Sequence, residues 1–407
     1  MEPGKIAMTN FSEPERDVRA AAVRKPQAVM MISHTYPPVL GGTEIEVQRV
    51  AMGLMRRGHR TLVLCAGGAP MPRRGGWIDP MGVPVRILTS RSRGTLPALA
   101  FSLGVAWNLL WRRGRFRTVY FLMPGLHLAL GLPVAGLLGY RIFMKFSGSN
   151  TIRPLLSSRA GRWELRFLRW LRVPVMLLND GMVEEAESCG IPRSQTMFMP
   201  NPVDVETFAP VSLREKSGIR ERLGLPGDRF VIVYTGRLSP EKGLLDLLDG
   251  FTKAAKQHPL HLVFVGDGEQ RAELEARVQN VDGLPPSVTF AGRVDSSAVP
   301  LWLQASDAFA LVSPNEGFSC ALSEAMATGL PAVVSDIPAN RQLVADVVHG
   351  FTVKVGDTDA IARCFLQLRA DPETRLRMAA AARDEIVRKY SMDRVVDLYE
   401  KLFEDEK

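Results

Sequence analysis

The chain has 407 residues, of which 46% are hydrophobic and 23% are charged, so its length predicts two domains and its composition is that of a globular protein. Its four cysteines form no CxxC pair, which argues against a disulfide framework or a zinc site and favours a reducing compartment. The net charge is +8, and residues 1–200 hold 27 basic against 12 acidic residues, so the first half favours an anionic partner or surface.

The first 26 residues carry acidic side chains and no apolar core, which predicts a loose tail and argues against a signal peptide. Over residues 27–200, short apolar runs alternate with helical patterns. The runs are AVMMIS, TLVLCA, VPVRIL, TVYFL, RIFMKF and VPVMLLN. This alternation predicts a parallel sheet with helices on both faces. The uncharged stretch Val119–Tyr140 contains prolines and glycines, so we interpret it as a strand and a buried helix rather than a membrane span.

The segment Met199–Pro210 has three prolines and no periodicity, which predicts a linker. A second series of runs occupies residues 201–390, and residues 391–407 are expected to form a C-terminal helix that packs back on the first domain. The runs are FVIVYTG, LHLVFVGDG, SVTFAG, DAFALVS, PAVVS and GFTVK. The predicted fold class is therefore α/β, with two Rossmann-like doubly wound domains facing across a cleft, where ligands bind beyond the carboxyl ends of the strands.

Three loops at predicted strand ends carry polar or flexible groups. Gly41 and Gly42 open a helix, where backbone amides can approach an anion; a flexible turn is the alternative. Arg237 and Lys242 in GRLSPEKG suit a pair of phosphates, with a solvated surface loop as the alternative. The VGDG loop around Gly266 lacks the third glycine of a dinucleotide loop, which favours a tight turn.

The stretch SPNEGFSCALSEAMATGLP holds two carboxylates at different depths. Glu316 lies in a loop, and Glu324 lies in a helix predicted to begin near Phe318 or Ser319 and to run to about Thr328. The two carboxylates can accept hydrogen bonds from hydroxyl groups, which suits a sugar and a ribose. The amides of Phe318 and Ser319 suit phosphates between them. The alternative is a helix cap at Glu316 and a solvent-facing Glu324.

Together these residues resemble the retaining GT-B glycosyltransferases, in particular glycosyltransferase family 4. The resemblance covers nearly the whole chain from Ala28. It rests on the order and spacing of Gly41-Gly42, NPVD at 201–204, GRLSPEKG, VGDG, VTFAGRV and the pair Glu316 and Glu324.

The resemblance implies a role for each matching position. Arg237 and Lys242 would bind the diphosphate of a nucleotide-sugar donor and stabilise it as it leaves, and Glu316 would hold hydroxyls of the donor sugar. Glu324 would bind the ribose, and the backbone of Arg293-Val294 would meet the base. The other donor-binding positions would be Gly41, Gly42, Gly266, Phe318 and Ser319. No metal and no cofactor is expected, and transfer would retain the anomeric configuration by front-face attack.

One position departs from the family pattern. Many members carry a histidine at the end of a middle strand of the first domain, where this chain has Ser147. Lys145 and Ser147 are therefore candidates for the acceptor side, together with His34 and His127. A subgroup of the family with a Lys-x-Ser-Gly pattern fits this stretch.

The first domain also combines arginines with tryptophans. Four arginines lie between Arg112 and Arg117, after a helix bearing Trp107 and Trp111, and four more lie between Arg162 and Arg172. This mixture suits a helix at an anionic membrane face. An ordinary solvated helix is the alternative, and nucleic acid is disfavoured because no recognisable binding module accompanies the charge.

These observations predict a cytoplasmic glycosyltransferase of polysaccharide biosynthesis, peripheral at the inner face of the membrane. It would move a hexose from a nucleotide diphosphate sugar to a hydroxyl of a lipid-linked or surface-glycan acceptor. Two alternatives stay open: a nucleotide-sugar epimerase of the same fold, and a membrane-associated scaffold without catalytic activity.

Overall fold

The computed structural model describes residues 25–38, 41–68, 71–72, 74–92, 94–281 and 287–404. The tail predicted over residues 1–26 lies almost wholly outside this part of the chain and stays a prediction. The described residues form two α/β domains, each built on a largely parallel sheet. This confirms the predicted fold class.

The first domain contains an eight-stranded sheet. Its strands are β1 (Ala28–Ser33), β2 (Arg60–Cys65), β3 (Gly75–Ile78), β4 (Pro84–Ile87), β5 (Thr118–Leu122), β6 (Arg141–Lys145), β7 (Val175–Leu177) and β8 (Thr196–Phe198). The order is β3-β4-β2-β1-β5-β6-β7-β8, and only β3 runs antiparallel to its neighbour. The apolar runs predict six of these strands. They do not predict β3 or β8, which are short and have no fully buried residue.

Five α-helices cover the two faces of this sheet. They are α1 (Gly42–Arg56), α2 (Thr95–Arg112), α3 (Leu126–Leu137), α4 (Arg159–Trp170) and α5 (Asp180–Ser188). Side chains alternate between faces along a strand, so Met30 of β1 joins the core that contains Phe101 of α2, whereas Met31 joins the core that contains Val47 of α1.

The uncharged stretch Val119–Tyr140 folds as β5 and α3, as predicted. All five residues of β5 are buried, which explains why the strand part of this stretch carries no charge. No helix in the described part of the chain is both long and apolar enough to cross a bilayer.

The second domain contains a six-stranded parallel sheet. Its strands are β9 (Phe230–Thr235), β10 (Leu260–Val265), β11 (Val288–Gly292), β12 (Ala308–Leu311), β13 (Ala332–Ser335) and β14 (Gly350–Val353), in the order β11-β10-β9-β12-β13-β14. Its helices are α6 (Leu213–Leu223), α7 (Leu244–Ala255), α8 (Arg271–Gln279), α9 (Val299–Gln304), α10 (Cys320–Ala327), α11 (Pro338–Arg341), α12 (Thr358–Ala370) and α13 (Pro372–Tyr390). Each of the six predicted runs forms one of these strands.

The chain crosses between the domains twice, and the two crossings lie side by side. The amide of Val203 donates to the carbonyl of Tyr390 at 2.8 Å, and the amide of Met392 donates to the carbonyl of Val203 at 3.0 Å. The final helix, α14 (Met392–Glu404), then packs on α1 of the first domain. Arg57 at the end of α1 pairs with Glu400 of α14 at 2.9 Å.

Candidate functional site

The carboxyl ends of the second sheet bring the predicted loops together. β9 lies between β10 and β12 in a parallel sheet, so the loops that follow these strands emerge at one edge. The loops after β9 and β10 approach closely, because a Cβ atom at Gly266 would lie 1.8 Å from the carbonyl oxygen of Gly236. Gly266 has φ of +143°, so glycine is needed here for backbone packing as well as conformation.

Glu316 and Lys242 meet at this edge. The Nζ atom of Lys242 lies 2.8 Å from Oε1 of Glu316, and the hydroxyl of Ser313 donates to the same oxygen at 2.7 Å. Only 10% of the Glu316 side chain is exposed. Two donors on Oε1 hold the carboxylate in place, and no hydrogen bond to Oε2 is seen in the described part of the chain. Glu316 is therefore an anchored acceptor rather than a helix cap.

Arg237 stands at the same edge but is much more accessible. Its side chain is 71% exposed, and its closest carboxylate, Glu241, is 3.8 Å away. Its carbonyl accepts a hydrogen bond from Tyr234 at 2.8 Å. Burial raises the pKa of the Tyr234 hydroxyl, and the charges of Glu316 and Glu241 raise it further. Tyr234 thus lies between the Arg237 loop and the Glu316 loop.

The loop after β12 ends at the start of α10. Ser319 is the N-cap, and its hydroxyl oxygen accepts from the amide of Leu322 at 3.1 Å. Backbone N–H groups at a helix start have no acceptor within the helix, and the helix dipole favours an anion there.

The first domain brings a second helix start to the same place. A Cβ atom at Gly42, the first residue of α1, would lie 3.6 Å from Sγ of Cys320, the first residue of α10. Gly41 is the N-cap of α1 and has no side chain to occupy its amides. Two helix N-termini from different domains therefore converge. The carboxylate of Glu44 lies at the start of α1, because a Cβ atom at Gly41 would be 2.2 Å from its Oε2.

Glu324 lies inside α10 and links the domains. One of its oxygens, Oε1, is 2.7 Å from Nη2 of Arg49 on α1, and both side chains are largely buried. Arg49 also donates to the carbonyl of Pro202 in the linker at 3.2 Å. Burial raises the pKa of Glu324, although the Arg49 guanidinium opposes this. The alternative of a solvent-facing Glu324 is therefore wrong.

A buried ionic network supports the Ser147 position in the first domain. Nζ of Lys145 lies 2.5 Å from Oε1 of Glu46, and neither side chain is exposed. The hydroxyl of Ser147 donates to Oε2 of Glu46 at 3.0 Å. Lys145 also donates to Oδ1 of Asn201 at 2.8 Å. Burial lowers the pKa of Lys145, and Glu46 opposes that effect.

The loop after Ser147 touches the Glu316 loop directly. Ser149 donates to the carbonyl of Glu316 at 2.5 Å, and Asn179 donates to the carbonyl of Gly317 at 2.6 Å. A Cβ atom at Gly317 would lie 2.8 Å from Cα of Gly148. The two domains therefore meet beside the predicted catalytic carboxylate.

The two histidine candidates lie together in the first domain. His127 is 3% exposed, and its ring stacks 6.3 Å from that of His34. Burial and the nearby His34 lower the pKa of His127 to about 3, so it is neutral at any working pH. His34 is partly exposed and donates from Nε2 to the carbonyl of Ser92 at 2.7 Å. Among the described residues, no hydrogen bond joins either histidine to Glu316 or Ser147.

A cavity of about 260 Å³ opens beside Glu316 between the domains. Its walls carry polar groups from both sides, including Ser149, Asn150 and Arg153 from the first domain and Asn315 and Glu316 from the second. This space is continuous with the anchored carboxylate. It can accommodate a hydroxyl-bearing ligand.

Some of the predicted site residues lie at the outer edge of the site, and the structure also brings in residues that are not predicted to belong to it. Arg293 is exposed and Val294 half-buried after β11, at the same sheet edge as the Arg237 loop. Glu46 and Arg49 are not identified by the sequence patterns, and Asn201 enters them only as the first residue of the NPVD motif, without a role. A signal for Glu46 exists, because it precedes the buried Val50 by one helical turn and so lies on the apolar face of α1. In the described part of the chain no three His, Cys, Asp or Glu side chains form a metal-binding group.

Part of the chain matches a known protein family. Residues 215–385 match the family model of the glycosyl transferases group 1. The chain is 32% identical over 209 residues to the UDP-Gal:alpha-D-GlcNAc-diphosphoundecaprenol alpha-1,3-galactosyltransferase of Escherichia coli, an alignment that covers 49% of this chain and 53% of that protein. The match thus spans about half the length of that relative.

Two further comparisons cover most of the chain. It is 26% identical over 371 residues to the GDP-mannose-dependent alpha-mannosyltransferase of Mycobacterium tuberculosis, covering 88% of this chain and 92% of that protein. The crystal structure of Anabaena HepE in complex with UDP and glucose superposes with a TM-score of 0.73 at 20% identity, over 93% of this chain and 100% of that one. At this identity the likeness shows the fold, which is the two-domain GT-B arrangement.

Proposed function

We propose that the chain is a metal-independent glycosyltransferase that moves a hexose from a nucleotide diphosphate sugar to a hydroxyl group, a proposal supported by the match of residues 215–385 to the family model of the glycosyl transferases group 1. The observation that carries the proposal is the Lys242–Glu316 pair at the start of α10. A cation and a fixed carboxylate pair there, and the starts of α1 and α10 converge.

The donor diphosphate fits between these helix starts. Lys242 and the exposed guanidinium of Arg237 supply positive charge on one side, and the amides at Gly42 and Ser319 supply partial charge. As the bond from the anomeric carbon to the phosphate oxygen breaks, negative charge grows on the diphosphate. Positioned cations stabilise that charge where it develops.

The sugar and the ribose fit the two carboxylates. Oε2 of Glu316 accepts hydrogen bonds from sugar hydroxyls, while Lys242 and Ser313 hold Oε1. Glu324 binds the ribose through the oxygen that Arg49 does not hold. The acceptor hydroxyl attacks from the face that the diphosphate leaves, and its proton passes to a phosphate oxygen. The product then retains the anomeric configuration.

The acceptor fits the cavity beside Glu316. Its polar walls suit a sugar hydroxyl, and Arg153 suits a phosphate on the acceptor. The galactosyltransferase of Escherichia coli has a diphosphoundecaprenol-linked acceptor in its name, which supports a lipid-linked acceptor here. The enzyme then works at the inner face of the membrane. The exposed arginines of α4, among them Arg162, Arg166 and Arg169, suit anionic lipid.

The test is hydrolysis of donor by the purified protein, measured for UDP-, GDP- and ADP-sugars. Glu316→Ala removes the carboxylate that accepts hydrogen bonds from the donor sugar, and it leaves Lys242 without its partner. The hydrolysis rate should therefore fall by about 100-fold or more. The control is Glu221→Ala, which removes an exposed carboxylate on α6 and should leave the rate unchanged. Equal rates for Glu316→Ala and the parent protein would refute the assigned role.

A further inference from the structure

Helix α2 exposes an apolar stripe to solvent. Six large apolar side chains on it are between 43% and 78% exposed. They are Leu96, Leu99, Leu103, Trp107, Leu110 and Trp111. Their spacing of three or four residues, with Trp111 beside Leu110, places them on one side of the helix. The opposite side is already occupied, because it packs into the domain core.

This stripe contains no charge. Residues 95–111 include no Asp, Glu, Lys or Arg, so nothing on α2 solvates its outer face before Arg112. A contiguous exposed apolar surface on this scale marks an interaction site. At 1.5 Å per residue the helix is about 27 Å long, so the stripe is an extended strip rather than a single pocket.

The neighbouring helices extend the same surface. α2 packs against α3, and α3 packs against α4. On α3 the side chains of Leu130 and Leu137 are exposed, and on α4 those of Trp163 and Trp170 are exposed. We call the outer side of α2, α3 and α4 the three-helix face.

Arginines surround the three-helix face, and exposed carboxylates are missing from it. Between Arg86 and Arg172 the only acidic residue is Glu164, which is 2% exposed. The exposed basic residues here include Arg115 and Arg166. The face is therefore apolar along its centre and positive at its margins.

The apolar stripe and the surrounding arginines lie closest together at the end of α2. The rings of Trp107 and Trp111 stack 5.6 Å apart with an interplanar angle of 9°. Together with Arg86, Arg112 and Arg115 they line a cleft of about 500 Å³. Burial lowers the pKa of Arg112, and the like charges of Arg86 and Arg115 lower it further. Three clustered guanidinium groups favour an anionic ligand such as a phosphate group.

We propose that the three-helix face docks on a bilayer of anionic phospholipid, with the α2 stripe among the upper acyl chains and the surrounding arginines on lipid phosphates. Amphipathic tryptophans and snorkelling arginines are the side chains that suit this interface. The inference rests on the proposed membrane location and adds the element that inserts.

This docking orients the active site. The carboxyl ends of the first sheet face the interdomain cleft, and α2 begins after the carboxyl end of β4. The start of α2, at Leu96, therefore lies on the cleft side of the domain. Insertion of α2 brings the cleft to the height of the lipid headgroups, where a lipid-linked acceptor presents its hydroxyl.

The test is binding to vesicles of phosphatidylglycerol and phosphatidylcholine by co-sedimentation. Leu103→Ser combined with Leu110→Ser should lower the partition coefficient by about tenfold or more, because apolar area no longer leaves water. The matched control is Leu213→Ser with Leu376→Ser, two exposed leucines of the second domain, which should bind as the parent does. Equal binding of the parent and the α2 variant would overturn the proposal.

Fluorescence quenching by brominated acyl chains tests insertion itself. The parent protein should be quenched, and Trp107→Phe with Trp111→Phe should remove most of that quenching. Vesicle binding without quenching, lost only in the variant Arg166→Ser with Arg169→Ser, would show electrostatic adsorption and overturn insertion.

A second outcome would assign the face to a second copy of the chain. In that case the parent forms a dimer that the α2 variant dissociates, and neither protein binds vesicles. Donor hydrolysis measured without vesicles tests the proposed function separately.

Discussion

At the scale of single residues, the site depends on charges that are held by opposite charges. Lys242 holds Glu316, Arg49 holds Glu324, and Lys145 holds Glu46. The first pair fixes a carboxylate at a partly open edge, and the second links the two domains. The third pair is fully buried, and its Glu46 accepts a hydrogen bond from the hydroxyl of Ser147.

A double-mutant cycle tests that buried pair. Lys145→Met leaves the Glu46 carboxylate unpaired in the interior, which should cost about 3–5 kcal/mol of unfolding free energy. Glu46→Gln added to Lys145→Met should recover at least about 2 kcal/mol, because the lone charge is gone. Donor turnover should stay low in the double variant, since Ser147 loses its anionic acceptor.

Chemical denaturation gives the free energies for this cycle, and donor hydrolysis gives the turnover. If the losses of stability in Lys145→Met alone and in Glu46→Gln alone add up to the loss in the double variant, Lys145 and Glu46 do not interact as the structure has them. Full turnover in the folded double variant would show that the orientation of Ser147 is irrelevant to the reaction.

At the residue level, the sequence is informative where a loop motif carries the signal. Glu316 and Lys242 were identified from their motifs, and the structure brings them together. Their binding roles stay predictions. Arg49 lies in a helical pattern, where a charged side chain is expected to be solvated, and Glu46 shows only the signal of its position on the apolar face of α1. The packing of α1 against the end of β6 reveals the partners of Glu46, and its packing against the interdomain linker and α10 reveals those of Arg49.

At the scale of elements, apolar runs predict the strands because parallel strands are buried on both faces. This works for β9, where all six residues are buried, and fails for β3, where half-buried and exposed residues alternate in GGWI. Edge strands such as β3 lack the continuous run. In helix α2 an apolar run does not indicate burial on all sides, since the exposed face of the helix is as apolar as its buried face.

The helix α4 carries a pH-sensitive contact with α3. Glu164 of α4 accepts from the amide of Gly125 at 3.3 Å, and burial raises the pKa of Glu164 to about 7. The folded chain therefore keeps a proton that the unfolded chain releases above its usual pKa of about 4.5. As pH rises through this window to about 7, stability falls by up to about 3 kcal/mol.

Glu164→Gln removes this dependence, because a neutral amide keeps an acceptor for Gly125 without a proton to lose. Thermal or chemical unfolding should show the variant more stable than the parent at pH 8 and similar to it at pH 4.5. Glu221→Gln on α6 is the matched control and should follow the parent at both pH values. A stability difference that is the same at both pH values would contradict the raised pKa.

At the scale of the whole molecule, the structure joins two Rossmann-like domains through paired crossings and the return of α14. The sequence patterns predict the domains because each repeats strand and helix, and the break at Met199–Pro210 separates them. They do not predict the contact between the two helix starts, which depends on the relative position of the domains. That contact forms the proposed diphosphate site.

The most direct test of that site is calorimetric titration with UDP and with GDP. The parent should bind at least one of them, and Arg237→Met and Lys242→Met should each weaken that binding by about tenfold or more, because each removes a cation from the diphosphate. Lys256→Met, an exposed lysine after α7, should bind as the parent does. Unchanged affinity in the variant that lacks both Arg237 and Lys242 would contradict the account.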